Sequence, residues 1–168
     1  MAELRSIVMR AQDKWTDTGL PRIAMVRAEA CADQVYQPML HLVLQGEKTL
    51  SIGDEVSRYP AGNYFLVPVD VPATGQIHGA AEDLPYLAVS LTLDPVVIST
   101  LLLNEDKCAR SHSDSSFEAV SAPAEMIDAW LRMMRLMDRP HEAAVLAPMI
   151  EREILFRALQ GPLNGVLR

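Results

Sequence analysis

Near the start of the chain apolar residues recur at three- and four-residue steps. Leu4, Ile7, Val8, Ala11 and Trp15 therefore predict one amphipathic helix over about Glu3 to Trp15, closed by the turn signal Thr16-Asp-Thr-Gly19. From there the period drops to that of strands. Ile23 to Ala28, Pro38 to Gln45, Lys48 to Ile52, Glu55 to Tyr59, Tyr64 to Val69, Thr74 to Gly79 and Pro85 to Leu93 are short runs of strand character, punctuated by Gly46, Gly53-Asp54 and Pro60-Ala-Gly62. Strands this closely spaced, with no helix between them, predict an antiparallel barrel or sandwich.

At Asp94-Pro95 the pattern changes again: an N-cap followed by proline at the first helical position opens a short helix through Val97, Ile98, Leu101 and Leu102. A polar stretch from Asn104 to Ser116 follows. Pro123 then opens a helix carrying Ile127, Trp130, Leu131, Met134 and Met137 at helical spacing up to Arg139-Pro140. A last helix runs from Leu146 or Pro148 through Ile150, Ile154 and Phe156 to Gly161-Pro162, with Pro148 either its start or a kink in an earlier one. The expected order is a helix, a barrel over about 20–93, and a helical part over about 94–162, all within a single domain over 1–168.

Composition narrows the functional classes. The formal charge of −7 and the lack of any Lys/Arg-rich stripe argue against direct contact with nucleic acid. The N-terminal residues lack the apolar core of a signal peptide and no apolar run is long enough for a membrane span, so the expectation is a cytoplasmic protein with no membrane partner. Cys31 and Cys108 are far apart and outside any CxxC spacing, and are read as packing thiols.

Familiar enzyme signatures are absent: no GxSxG, HExxH, Walker loop or strand-following GxGxxG occurs. The Ser111–Ser116 run with His112 and Asp114 reads as a solvated loop, because adjacent residues cannot supply triad geometry. His41-Leu-Val43 with Glu47 resembles the first cupin metal motif with its second histidine replaced by Val43. Pro60-Ala-Gly-Asn-Tyr-Phe65 resembles the second motif with its histidine replaced by Phe65. Only His41 and Glu47 of four ligand positions survive, which implies no metal, no cofactor and an apolar pocket where the metal would sit. His41 has two readings there, a polar contact on the pocket wall or a histidine satisfied by a carbonyl or water.

The segment Pro38–Leu93 resembles the N-terminal domain of a subgroup of AraC-type regulators. The resemblance is carried by Leu42-Val-Leu-Gln-Gly46, the Gly53–Gly62 segment (GDEVSRYPAG), Val69-Asp-Val-Pro72 with Thr74-Gly75, and the Pro85–Asp94 segment (PYLAVSLTLD), and it extends through Glu151–Arg157 (EREILFR) and Leu159-Gln-Gly-Pro162. It implies a cupin-like antiparallel β-barrel of jelly-roll type, mainly β, with an N-terminal helix and two long C-terminal helices. It also implies a sensing and dimerisation role, with DNA met only through a C-terminal helix-turn-helix domain that this chain is expected to lack.

On that reading the effector is a small molecule in the barrel, oriented by polar groups drawn from His41, Gln45, Tyr64, Thr74, Gln76 and His78 beside Phe65. Thr74, Gln76 and His78 share one strand face, which is either the pocket wall or a solvated exterior. The homodimer is expected to use Ile127, Trp130, Met133, Met134 and Met137, more apolar surface than one helix stripe needs. Methionines at helical spacing are also common core filler. Two other readings compete: a cupin enzyme rebuilding a site from His41, Glu47, His78 and Tyr64, and an oligomerisation module whose barrel is filled by its own side chains.

Overall fold

The computed structural model describes residues 1–29, 34–104 and 118–162. Cys31, Cys108 and the Ser111–Ser116 run lie outside them.

Helix α1 spans Ala2–Val8 and buries Leu4 and Val8. It stops short of the expected end because Trp15 belongs to strand β1 (Trp15–Asp17), paired antiparallel with β2 (Ile23–Ala28) at Trp15 opposite Val26. The helical spacing of Trp15 after Ala11 is coincidental: cross-strand pairing decides its conformation. The remaining strands are β3 (Gln34–Tyr36), β4 (Met39–Gln45), β5 (Glu47–Ile52), β6 (Glu55–Pro60), β7 (Asn63–Val67), β8 (Val71–His78), β9 (Tyr86–Thr92) and β10 (Val120–Ser121). Among the described residues they form a larger sheet ordered β1-β2-β9-β4-β7-β10 and a smaller one ordered β3-β8-β5-β6.

Strand β4 shows how the layers arise. Its residues Met39 to Leu44 are all buried, because both of its faces are covered. Leu40, Leu42 and Leu44 join Leu87, Val89 and Leu91 of β9 in a cluster shared with the helices. Met39 and Val43 point the other way and join Val26, Tyr36, Leu50, Tyr59, Phe65, Val67, Ala73, Tyr86 and Ala88, which come from both sheets. The lumen between the sheets is that second cluster.

Gly46 carries the chain from the larger sheet to the smaller. Its φ of 78° suits glycine, and a Cβ there would lie 3.3 Å from the Tyr86 ring, so the residue also makes room for that ring.

Among the described residues, three further helices cover the outer face of the larger sheet. Helix α2 (Pro95–Asn104) begins as expected, with the Asp94 carboxylate accepting a 2.9 Å hydrogen bond from the Val96 N–H. Helix α3 (Ala124–Arg135) runs into a 3-10 turn at Leu136–Asp138. Helix α4 (Pro140–Leu159) is twenty residues long and starts at Pro140, the proline expected to end the preceding helix; at the first helical position its missing N–H costs nothing. Pro148 lies inside α4 as neither start nor stop. Ion pairs tie this helical part to the rest, among them Arg22 with the buried Glu151, Arg135 with Glu3 and Arg10 with Asp138. No helix among the described residues is long and apolar enough to cross a membrane.

Candidate functional site

The lumen is largely apolar; its polar side chains include His41 on β4, Lys48 on β5 and Tyr86 on β9, with the Tyr36 and Tyr59 hydroxyls and Ser90 beside them. His41 follows Met39 and precedes Val43 on the inner face of β4 and has no solvent exposure. Its ring stacks on Phe65 at 4.8 Å, lies parallel to Tyr86 at 6.3 Å and meets Trp15 edge-on at 6.1 Å. The Nε2 atom is 2.9 Å from the Tyr86 hydroxyl, while Nδ1 is buried with no hydrogen-bond partner. Burial, helped by the nearby Lys48 charge, holds the imidazole well below its usual pKa, so the ring is neutral at pH 7.

Lys48 is the unexpected member. It alternates with Leu50 along β5 and is only 2% exposed, its ammonium 4.7 Å from the centre of the Tyr36 ring and 5.8 Å from that of Tyr86. Cation–π attraction of this kind lowers the cost of removing an ammonium from water. Tyr59, its ring tilted against Phe65 at 4.4 Å, closes another side, and burial pushes its hydroxyl up to about 12.

The structure separates the residues expected to line the pocket. His41 and Phe65 are there. Gln45 sits beyond a bulge in β4 and donates its amide N–H to the Pro85 carbonyl at 2.8 Å, fixing the entry to β9. Tyr64 faces away from the lumen into the helix-side cluster, where burial raises its hydroxyl to about 12, and its oxygen would lie 2.7 Å from a Cβ on Gly161. Thr74, Gln76 and His78 occupy the exposed face of β8; the inward face carries Ala73, Gly75 and Ile77. A Thr49 hydroxyl 2.9 Å from the His78 Nε2 belongs to that outer surface. Period-two reading had grouped Thr74, Gln76 and His78 rightly and left their side open; the burial of Ala73 and Gly75 settles it.

Glu47 does not reach His41. It pairs at 2.9 Å with Arg58 across the β5–β6 hairpin, so His41, Glu47, His78 and Tyr64 form no joint catalytic group. Among the described residues no cluster of three or more His, Cys, Asp or Glu is placed to hold a metal ion.

The expected dimer residues also need correction. Trp130, Met133 and Met134 are fully buried within the protomer, and Ile127 and Met137 are half-buried against the same cluster. Helix α3 is wedged between α1, α4 and the larger sheet, which uses up several of its faces. Exposed apolar side chains lie instead on α4, where Val145 (66% exposed), Leu146, Met149 (62%) and Phe156 run along one side, and on α2 at Val96 and Leu103. Leu146 and Met149 also border an open groove of about 450 Å³ floored by Leu136 and Ile150 and rimmed by Arg132, Arg135 and Arg139.

Lys48, Tyr36, Tyr86 and Trp15 were missed from the sequence. Lys48-Thr-Leu50-Ser-Ile52 alternates with period two, which places Lys48 on the face of Leu50; that was the available signal.

A family model described as AraC-type transcriptional regulator N-terminus matches residues 19–166. Comparison with curated proteins gives no significant match. Among solved structures, the apo form of a ToxT variant from Vibrio cholerae strain SCE256 superposes with a TM-score of 0.58 at 8% identity, over 84% of this chain and 57% of that one. The AraC-like transcriptional activator CuxR gives 0.46 at 9% identity, over 88% and 54%. A cupin superfamily protein from Desulfitobacterium hafniense gives 0.32 at 18%, over 43% and 69%. The chain thus spans little more than half the length of ToxT and CuxR.

Proposed function

Because this chain belongs to the AraC-type transcriptional regulator N-terminus family, we propose that it is the effector-sensing and dimerisation part of a cytoplasmic DNA-binding transcription regulator, with no catalytic role of its own. In this reading residues 1–168 are one domain, the two sheets hold a small-molecule effector, the helices carry the dimer contact, and DNA is met through a separate C-terminal domain. The observation that carries it is the buried His41 Nδ1 without a partner, inside a largely apolar lumen beside Lys48 and Tyr86. An apolar container with a few convergent polar groups is the usual form of a small-molecule site.

The dimer part rests on α4. At 1.5 Å per residue its twenty residues make a rod roughly 30 Å long, with Val145, Met149 and Phe156 at helical spacing on one side. A second copy is the fitting occupant. Antiparallel pairing about a two-fold axis sets the acidic Glu142 end of one helix near the exposed Arg152 end of the other, so the apolar stripe meets itself and opposite charges meet at both ends.

Two measurements test the proposal. In sedimentation, Met149→Lys should turn dimers into monomers with little change in melting temperature, whereas Met134→Lys should unfold the protomer, because it buries an unpaired charge. A wild-type chain that stays monomeric at high concentration overturns the dimer part. For sensing, compounds that raise the melting temperature should move the indole resonance of Trp15, at the lumen, and leave that of Trp130, in the helix-side cluster. Hits that move only Trp130 would place the effector elsewhere.

A further inference from the structure

The contacts that hold α4 in place are unevenly spread along it. Its buried side chains all lie at or beyond Ala147, with Ile150, Ile154 and Leu155 among them. Its side-chain bonds to other elements follow the same division: Glu151 reaches Arg22 and Glu153 reaches Arg132, whereas among the described residues Glu142 pairs with its near neighbours Arg139 and His141. From Pro140 to Leu146 no side chain is fully buried. Space opens on both sides of that stretch, as the groove of about 450 Å³ beside Glu142 and Leu146 and as a cleft of about 300 Å³ between Ala143 and the Gly19-Leu-Pro21 turn.

The backbone is weakened at the same boundary. Pro148 has no N–H to give to the Ala144 carbonyl and its ring crowds that carbonyl, so the hydrogen-bond ladder is interrupted just after the first buried side chain. At the other end the N-cap residue, Arg139, makes no side-chain cap bond. Pro140–Ala147 is thus about two turns of helix with a break at one end and no cap at the other. Isolated helices shorter than ~12–15 residues are marginal in water, so such a segment depends on packing to stay formed. Its own protomer supplies little, since Val145 is 66% exposed. In the antiparallel α4 pairing described above, Val145 is covered together with Met149, and Glu142 of the same segment meets opposite charge.

We propose that Pro148 divides α4 into an anchored half, Met149–Leu159, and a docking half, Pro140–Ala147, which opens locally in the lone protomer and is ordered by the second copy. The proposal deepens the dimerisation reading above and rests on it. Dimerisation then includes a local folding step, whose ordering cost weakens the dimer for a given buried area. Stiffening the segment beforehand removes part of that cost and tightens the dimer.

Hydrogen exchange read by mass spectrometry tests this, with the wild-type chain as dimer at high concentration, as monomer on dilution, and with Met149→Lys as an independent monomer. The informative amides are those of Ala144–Ala147, because the Glu142 and Ala143 N–H groups share the Arg139 carbonyl at the helix end. In the monomer they should exchange about tenfold or more faster than those of Ile150–Leu155, as one block ending at Pro148, and in the dimer the gap should close. Pro148→Ala restores the ladder; it should slow exchange of the block in the monomer about tenfold and tighten the dimer in sedimentation by a similar factor. A block as well protected in the monomer as Ile150–Leu155, in a chain that does dimerise, overturns the proposal and leaves the dimerisation reading standing. So does a block that exchanges equally fast in monomer and dimer, or one unchanged by Pro148→Ala. A chain that is monomeric at every concentration overturns both.

Discussion

Removing one partner of the Arg22–Glu151 pair should reveal how firmly the helical layer is bolted to the sheet. Arg22 lies between β1 and β2 and Glu151 in the middle of α4; the guanidinium makes two hydrogen bonds to the carboxylate, Nε to Oε1 at 2.9 Å and Nη2 to Oε2 at 2.5 Å. The two ends of the pair are unequal. Glu151 is 4% exposed, while Arg22 is 34% exposed and has Asp94 at 3.6 Å as a second partner. In Glu151→Ala the guanidinium can turn to water and Asp94, so the loss should stay below the 3–5 kcal/mol typical of an orphaned buried charge, at about 2 kcal/mol. Arg22→Ala strands the carboxylate and should cost about 3–4 kcal/mol.

Arg22 also holds a left-handed φ of 63°, so Arg22→Gly should recover about 1 kcal/mol relative to Arg22→Ala. Urea unfolding measures each free energy, and for a chain of this size each kcal/mol should appear as a shift of about 2–4 °C in melting temperature. The double variant should fall short of the sum by about 1.5–3 kcal/mol. Additivity within about 0.5 kcal/mol, or a Glu151→Ala loss larger than that of Arg22→Ala, would refute the reasoning.

Two further outcomes follow from the lumen and its rim. The folded-state pKa of His41 lies well below 6.5, so the unfolded chain takes up the proton first. His41's contribution is then intact above about pH 6.5 and shrinks as pH falls below it, by up to about 1.4 kcal/mol per unit, and His41→Phe should flatten the curve between pH 7.5 and 5 in paired urea titrations. An unchanged slope would mean that the ring is not held neutral. Gly46→Ala should cost roughly twice as much as Gly53→Ala in thermal unfolding. Both glycines have positive φ, but a Cβ at Gly53 meets nothing within 4 Å while one at Gly46 meets Tyr86; equal losses would remove Gly46 from its supporting role.

Much of the fold could be read from local pattern where pattern and packing agree. Strands β2, β4, β5, β6 and β9 were found within a residue or two, and Asp94-Pro95 marks the true start of α2. The errors fall where distant contacts decide. β3 and β10 are two or three residues long and take their conformation from β8 and β7, so no period was available to find them. Trp15 continued a helical spacing yet pairs with Val26, and Arg139-Pro140 reads equally well as a stop or a start. The same limit governs the site. Alternation groups Thr74, Gln76 and His78 but cannot say which side is inward; Tyr64 and Phe65 are neighbours in sequence and end in different cores. Lys48 was passed over because a lysine in a short strand is ordinarily a solvated edge residue, and only the three-dimensional enclosure by Tyr36 and Tyr86 makes it a lumen group. The surplus apolar residues of α3 can be read from its spacing but not what they meet: Trp130, Met133 and Met134 are buried within their own chain, and exposed apolar side chains remain on α4 and α2.

That adjacency of Tyr64 and Phe65 makes β7 a very short lever. Phe65 rests on the His41 ring, and Tyr64, one peptide bond away, lies under the C-terminal end of α4 at Gly161 with no slack for even a methyl group between them. The two contacts are one peptide bond apart on the same strand. On the sensing reading proposed above, a ligand that displaces Phe65 should therefore also shift the last turn of the helix.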